Sequence, residues 1–222
     1  LVGSGNSSHR TNYKDFTQFF LEKTFLENGF AVAYFDKRGL GKSQGTWYET
    51  TFEQRALDAK NVALEIQKSA FIDVNKVFLI GHSQGGWIVQ IALSQFPEVF
   101  AGGVSMAGAT FGVKKQLVND YQNDFICEKG FDEREALDKA RRKVDRDIFI
   151  VSLIGRKGNW KQLKLIKNFE PEPYLKRINK PLLFMLAEND ELVNSTWAID
   201  ELKRLFPNNL PLAFEVYLAP GQ

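Results

Sequence analysis

Lys76-Val77-Phe78-Leu79-Ile80-Gly81-His82-Ser83-Gln84-Gly85-Gly86 is the stretch on which the fold turns. Val77 to Ile80 is a short apolar run of the kind that forms a buried strand. Gly81-His82-Ser83-Gln84-Gly85 follows at once and fits G-x-S-x-G. Trp87, Ile88, Ile91 and Ala92 then recur at helical spacing until Pro97 stops the pattern. Strand, sharp turn and helix in that order lift a serine hydroxyl clear of a sheet. The turn needs small residues two before and two after the serine, which Gly81 and Gly85 supply. The helix that starts there aims its first backbone N–H groups at an oxyanion. A Gly-rich turn with an idle serine would read the same way, so the rest of the chain has to decide.

Upstream, Leu1-Val2 reads as the end of a strand running into the Gly/Ser loop Gly3-Ser4-Gly5-Asn6-Ser7-Ser8, whose backbone N–H groups could face an anion. His9 reads as a solvated loop residue. Asp15 to Asn28 carries Phe16, Phe19, Phe20 and Leu26 as a helix closed by Asn28-Gly29. Phe30 to Phe35 is a continuous apolar run, expected of a parallel strand covered on both faces. Asp36-Lys37-Arg38-Gly39-Leu40-Gly41-Lys42-Ser43 is a Gly-punctuated loop. It is not a phosphate-binding loop, because the first glycine of that motif would fall at Asp36. Thr50-Thr51-Phe52-Glu53 reads as a capping box, with Phe52, Ala56, Ala59, Ala63 and Ile66 facing a core.

Downstream, Ala101 to Ala107 is another short strand. From 111 to 179 charges crowd in and strand signals fade, which marks a helical insertion suited to a cap or lid. Within it Asp132 caps a helix striped by Ala136, Leu137, Ala140, Val144 and Ile148, and the basic run Arg141-Arg142-Lys143 reads as a solvated face. Pro181 to Leu186 returns to buried-strand character. A loop over 187–193 follows, then a helix capped by Asn194 or Ser195 and stopped by Pro207, and a last strand from Ala213 to Leu218. The expected division is a core of residues 1–110 and 180–222 around the insertion 111–179.

A chain of 222 residues suits one sizeable α/β domain. Its 29 Lys and Arg nearly balance 27 Asp and Glu, which argues against nucleic acid as a partner. No apolar stretch approaches membrane-spanning length, and no signal peptide is recognisable. The lone Cys127 reads as a small buried or half-exposed apolar residue and permits no internal disulfide. Nothing suggests a metal or organic cofactor. Compartment and oligomeric state are left open.

Strands alternating with helices predict a mostly parallel, doubly covered sheet, whose chemistry gathers at the carboxyl ends of the strands. Three such ends carry distinctive groups: the Gly3-Ser4-Gly5 loop, Ser83 and Asp190. The chain resembles the α/β-hydrolases, most of all the bacterial esterase and dipeptidyl-aminopeptidase-like members. Besides the turn at Ser83, the resemblance rests on Leu-Val-Gly-Ser-Gly at 1–5 and on Asp36-x-Arg38-Gly39-x-Gly41-x-Ser43. It rests also on Pro173-Tyr174-Leu175 through Lys180-Pro181-Leu182-Leu183 to Glu188-x-Asp190-x-x-Val193. Ala187 stands where the family usually has glycine. The resemblance implies Ser83 as nucleophile, Asp190 as the acid that orients the base, and the backbone N–H groups of Gln84 and Ser4 as the oxyanion hole. It implies a small ester or short peptide as substrate. Asp36 and Arg38 are expected to hold loops rather than touch substrate.

The family's catalytic histidine follows the last strand, and here Ala219-Pro220-Gly221-Gln222 holds none. His82 adjoins Ser83 on a tight turn, where neighbouring side chains diverge. The expectation is therefore that the base lies just beyond Gln222 in a parent protein. The alternative is a domain that has given up catalysis and binds a ligand or partner.

Overall fold

A computed structural model describes residues 1–6, 14, 16–208, 211 and 213–220. His9, Ser7, Ser8 and Asp15, to which the sequence reading assigned loop or helix, lie outside the described residues. In chain order the elements are α1 (Lys23–Glu27), entered through a π-helical turn at Phe16–Glu22, α2 (Phe52–Ile66), β1 (Phe78–His82), α3 (Gln84–Gln95) and β2 (Gly102–Met106). Four helices follow without a strand: α4 (Val113–Cys127), α5 (Glu133–Ile154), α6 (Gly158–Ile166) and α7 (Glu172–Leu175). The chain closes with β3 (Leu182–Ala187), α8 (Ser195–Leu205) and β4 (Phe214–Ala219).

The four strands form one parallel sheet in the order β1-β2-β3-β4. Ile80 lies opposite Val104, Val104 opposite Leu183, and Phe184 opposite Val216. Leu1 adds a parallel step at the free edge of β1. Its N–H donates to the Ile80 carbonyl at 2.5 Å, and its own carbonyl accepts from His82 at 3.0 Å. Because every strand runs the same way, all the loops leaving their carboxyl ends share one rim.

The core sits on both sides of this sheet. Residues Gln84 through Leu93 of α3 are all buried, as expected of a helix covered all round. α2 lays Phe52, Ala56, Ala59 and Ala63 against it. The rings of Phe52, Trp87 and Phe169 meet with centroids 4.8 to 5.4 Å apart, tying the segment after α6 to α2 and α3. Each such buried aromatic contributes roughly 2–3 kcal/mol of burial. Across the sheet, Phe184 and Phe206 both pack on Phe214.

Three local expectations change. Phe30–Phe35 is not a strand: no sheet partner is found for it among the described residues, and Phe30 is 46% exposed. An apolar run becomes a strand only when a neighbour supplies the ladder. The capping box is one residue later than expected. Thr51 Oγ1 accepts from the Gln54 N–H at 3.2 Å, and Gln54 Oε1 accepts from the Thr51 N–H at 2.8 Å. Thr50 instead donates its hydroxyl to the Thr46 carbonyl. Leu26, expected on a buried stripe, is exposed, and so is Cys127 at the end of α4. Elsewhere the helix signals land as read: Asp132 caps α5 through the Glu135 N–H, and Asn194 caps α8 through that of Trp197. No helix among the described residues is long and apolar enough to cross a membrane.

Candidate active site

Ser83 stands between β1 and α3 with φ 53° and ψ −122°, a conformation that L residues rarely adopt. Its N–H donates to the Met106 carbonyl at 2.8 Å, and its own carbonyl accepts from Gly86 at 2.8 Å. The turn is thus anchored to β2 on one side and to α3 on the other. Crossing so tightly, the chain brings Gly81 against the Gly85 carbonyl, where a Cβ on Gly81 would collide, with Val89 Cγ2 at 2.8 Å behind it. A Cβ on Gly85 would in turn strike the Leu1 carbonyl. Gly81→Ala is expected to lower stability by about 3 kcal/mol, read as a smaller urea midpoint at unchanged m-value. An unchanged midpoint would show that the turn has slack.

Gln84 is the first residue of α3, so its backbone N–H has no partner within the helix. Beside it runs the Leu1–Gly5 loop. Arg55, buried on α2, links the two: its guanidinium donates from Nη1 to Gln84 Oε1 and from Nη2 to the Val2 carbonyl at 2.7 Å. Lys37, also buried, donates to the next carbonyl, that of Gly3, at 2.9 Å. Burial, and then the Arg55 charge, push the Lys37 ammonium down to about 7. Arg55 thus ties the 1–5 loop to the start of α3, and Ser4 in that loop is exposed.

Asp190 lies in the loop after β3, on the rim that Ser83 also occupies. β1 and β3 are two strand spacings apart, about 10 Å. An imidazole with a hydrogen bond at each nitrogen reaches across about 8 Å. The Asp190 carboxylate is half-buried, and its Oδ1 accepts from the N–H groups of Leu192 and Val193 at 2.9 and 3.0 Å. Among the described residues the one imidazole is that of His82. Burial holds it below its usual value, against the opposing pull of the Asp190 charge.

One face of α4 grips this acid loop. Asn119 Nδ2 donates to the Glu191 and Leu192 carbonyls at 3.1 and 3.0 Å, while Gln116 reaches Leu192 and Asn123 reaches Glu191. Positions 116, 119 and 123 share a helix face by spacing. Asp120 beside them accepts from Gln116 Nε2 at 2.8 Å, and its carboxyl is raised to about 6, first by burial, with the Asp190 charge adding to it. Between the unfolded value of 3.8 and the folded one of about 6, the native state holds the extra proton, so stability falls as pH rises through that window. Asp120→Asn is expected to flatten the slope between pH 4 and 6 and to gain about 3 kcal/mol at pH 7, measured by urea unfolding across pH. An undiminished slope would place the proton elsewhere.

The 36–43 loop is held by its own contacts. Arg38 pairs with Asp58 through two bonds of 2.7 and 2.6 Å, Ser43 donates to the Asp36 carbonyl, and Gly41 packs on the Asp36 side chain. A surface hollow between α4 and α5 is lined by Phe125, Phe131, Lys139, Arg142, Lys143 and Arg146, none of them on the Ser83 rim. There Lys143 pairs with Asp147 and Lys139 with Glu135. Two sets of residues around the site escaped the sequence reading. An arginine at 55 inside the Phe52/Ala56/Ala59 stripe was one available signal, and amides at 116, 119 and 123 were the other.

Residues 2–128, more than half of the chain, match the family described as serine aminopeptidase, S33. No curated protein sequence matches. Among solved structures, the fold is similar to an esterase of Pyrococcus furiosus at 18% identity and a TM-score of 0.62, over 93% of this chain and 68% of that one. It is similar also to a monoacylglycerol lipase of Paleococcus ferrophilus, with 18% identity, a TM-score of 0.59, and 100% and 83% of the two chains covered. A lipase-esterase related protein of Clostridium acetobutylicum follows at 19%, 0.54, 98% and 82%. With its parallel sheet, its serine turn and that family match, the chain belongs to the serine aminopeptidase S33 family and is a hydrolase of the α/β-hydrolase type.

Proposed function

We propose that this hydrolase cleaves a carboxylic ester, or an amide or peptide bond, through an acyl-enzyme on Ser83. The observation that carries the reading is the convergence at one sheet rim of a strained serine, a helix N-terminus and a half-buried carboxylate. Ser83 Oγ attacks the substrate carbonyl while an imidazole takes its proton. The backbone N–H groups of Gln84 and Ser4 hold the oxyanion. The imidazolium returns the proton to the departing alcohol or amine, and water then cleaves the acyl-enzyme to release the acid. Asp190 Oδ2 orients the imidazole, which the family pattern sets after β4. His82, one residue before the nucleophile, supports the turn. The helical segment 111–179 serves as a cap whose α4 steadies the acid loop, and the substrate is a small ester or short peptide.

A fluorophosphonate probe tests this. The protein carried through the histidine placed after β4 is expected to label at Ser83 and to hydrolyse an activated ester. Failure to label overturns the enzyme reading, and stoichiometric ligand binding without turnover would favour a binding domain.

A further inference from the structure

We infer that Arg55 and Lys37 are positioning residues that set the two oxyanion donors, a role that rests on assigning those donors to Gln84 and Ser4. The geometry is specific. A trans peptide is planar and directs its C=O and N–H to opposite sides. Lys37 Nζ holds the Gly3 carbonyl, so the N–H of the same peptide, that of Ser4, faces away from Lys37. Arg55 fixes the preceding peptide through the Val2 carbonyl and, with its other nitrogen, the side chain of Gln84. One guanidinium therefore spans the loop and the start of α3, setting the spacing between the two donors. The ammonium on the Gly3 carbonyl also polarises that peptide, which strengthens its N–H as a donor.

Stability alone does not explain these groups. Burying two cations side by side costs free energy that apolar side chains of similar volume would not. The lowered Lys37 value records that cost. Donor placement is where the cost is recovered, because a hole preset for the oxyanion needs no rearrangement during reaction.

The test uses the protein with the base present, with Ser83→Ala as reference, and follows kcat, KM, melting temperature and affinity for a trifluoromethyl ketone, whose adduct carries an oxyanion. Lys37→Met is expected to lower kcat about 10-fold and Arg55→Met between about 10- and 100-fold, with KM unchanged. Ketone affinity should fall by the same factor as kcat/KM, and Arg55→Lys should recover part of the loss. The melting temperature of Lys37→Met should stay level or rise. An unchanged kcat in both Met variants, or a loss confined to KM, overturns the inference while leaving the serine reading intact. A Lys37→Met protein that melts earlier or does not fold also overturns it, since the lysine would then be holding the fold. If the parent's activity survives Ser83→Ala, the proposed function fails first, and this inference fails with it.

Discussion

Ser83→Ala is expected to lower kcat for an activated ester by about 10⁵- to 10⁶-fold in the protein that carries the base, while leaving the fold and KM unchanged. The size follows from what is lost. In the proposed mechanism the Ser83 oxygen forms the acyl bond, and alanine has no oxygen to take its place. What would remain is binding plus the N–H groups of Gln84 and Ser4, which still favour attack by water to a small degree. The fold should survive because the anchors of the turn are backbone bonds, from Ser83 to Met106 and from Gly86 to Ser83. Alanine is no worse than serine at φ 53°, so the strain is carried over unchanged. Steady-state hydrolysis with purified protein, checked against a melting curve, measures this. Retention of more than a hundredth of the parent rate would remove Ser83 as nucleophile.

Asp190→Asn is expected to cost about 10⁴-fold in kcat with little loss of stability. Oδ1 is committed to the loop, accepting from Leu192 and Val193, and an asparagine oxygen accepts both bonds as well. The change falls on the other atom. An NH₂ in place of Oδ2 donates where the imidazole must also donate, so the base is held in the wrong tautomer and its cation loses a counter-charge. Asp190→Ala should match that loss in rate and, in addition, destabilise by about 1–3 kcal/mol, because two loop N–H groups lose their acceptor. The comparison of the two variants separates chemistry from architecture. Equal rates in parent and Asp190→Asn would rule the carboxylate out as orienting acid.

Much of the fold was legible because its signals are local. Gly81 and Gly85 bracket the turn for a steric reason that needs no knowledge of distant residues, and the collisions their side chains would make are the ones inferred from spacing. Pro97, Pro207, Asp132 and Asn194 mark helix ends through their own backbone chemistry. The Phe30–Phe35 run misled because apolarity measures the demand for burial and carries no information about a partner strand. Pro181–Leu186 has the same character and finds two neighbours, β2 and β4. The capping box slipped by one residue because Thr50 and Thr51 are chemically equivalent caps, each with a Glu or Gln three residues on, and in the fold the Thr50 hydroxyl is engaged by the Thr46 carbonyl.

From its residues alone the chain determines an α/β sheet with a serine on a sharp turn and an acid on a later loop. Those features follow from steric limits and periodicities acting over a few neighbours. Tertiary structure alone decided that α4 clasps the acid loop and that Arg55 and Lys37 grip successive carbonyls of the 1–5 loop. Each of those contacts joins residues far apart in sequence. A hydrogen bond across such a distance is set by strand order and helix placement, which no local pattern encodes.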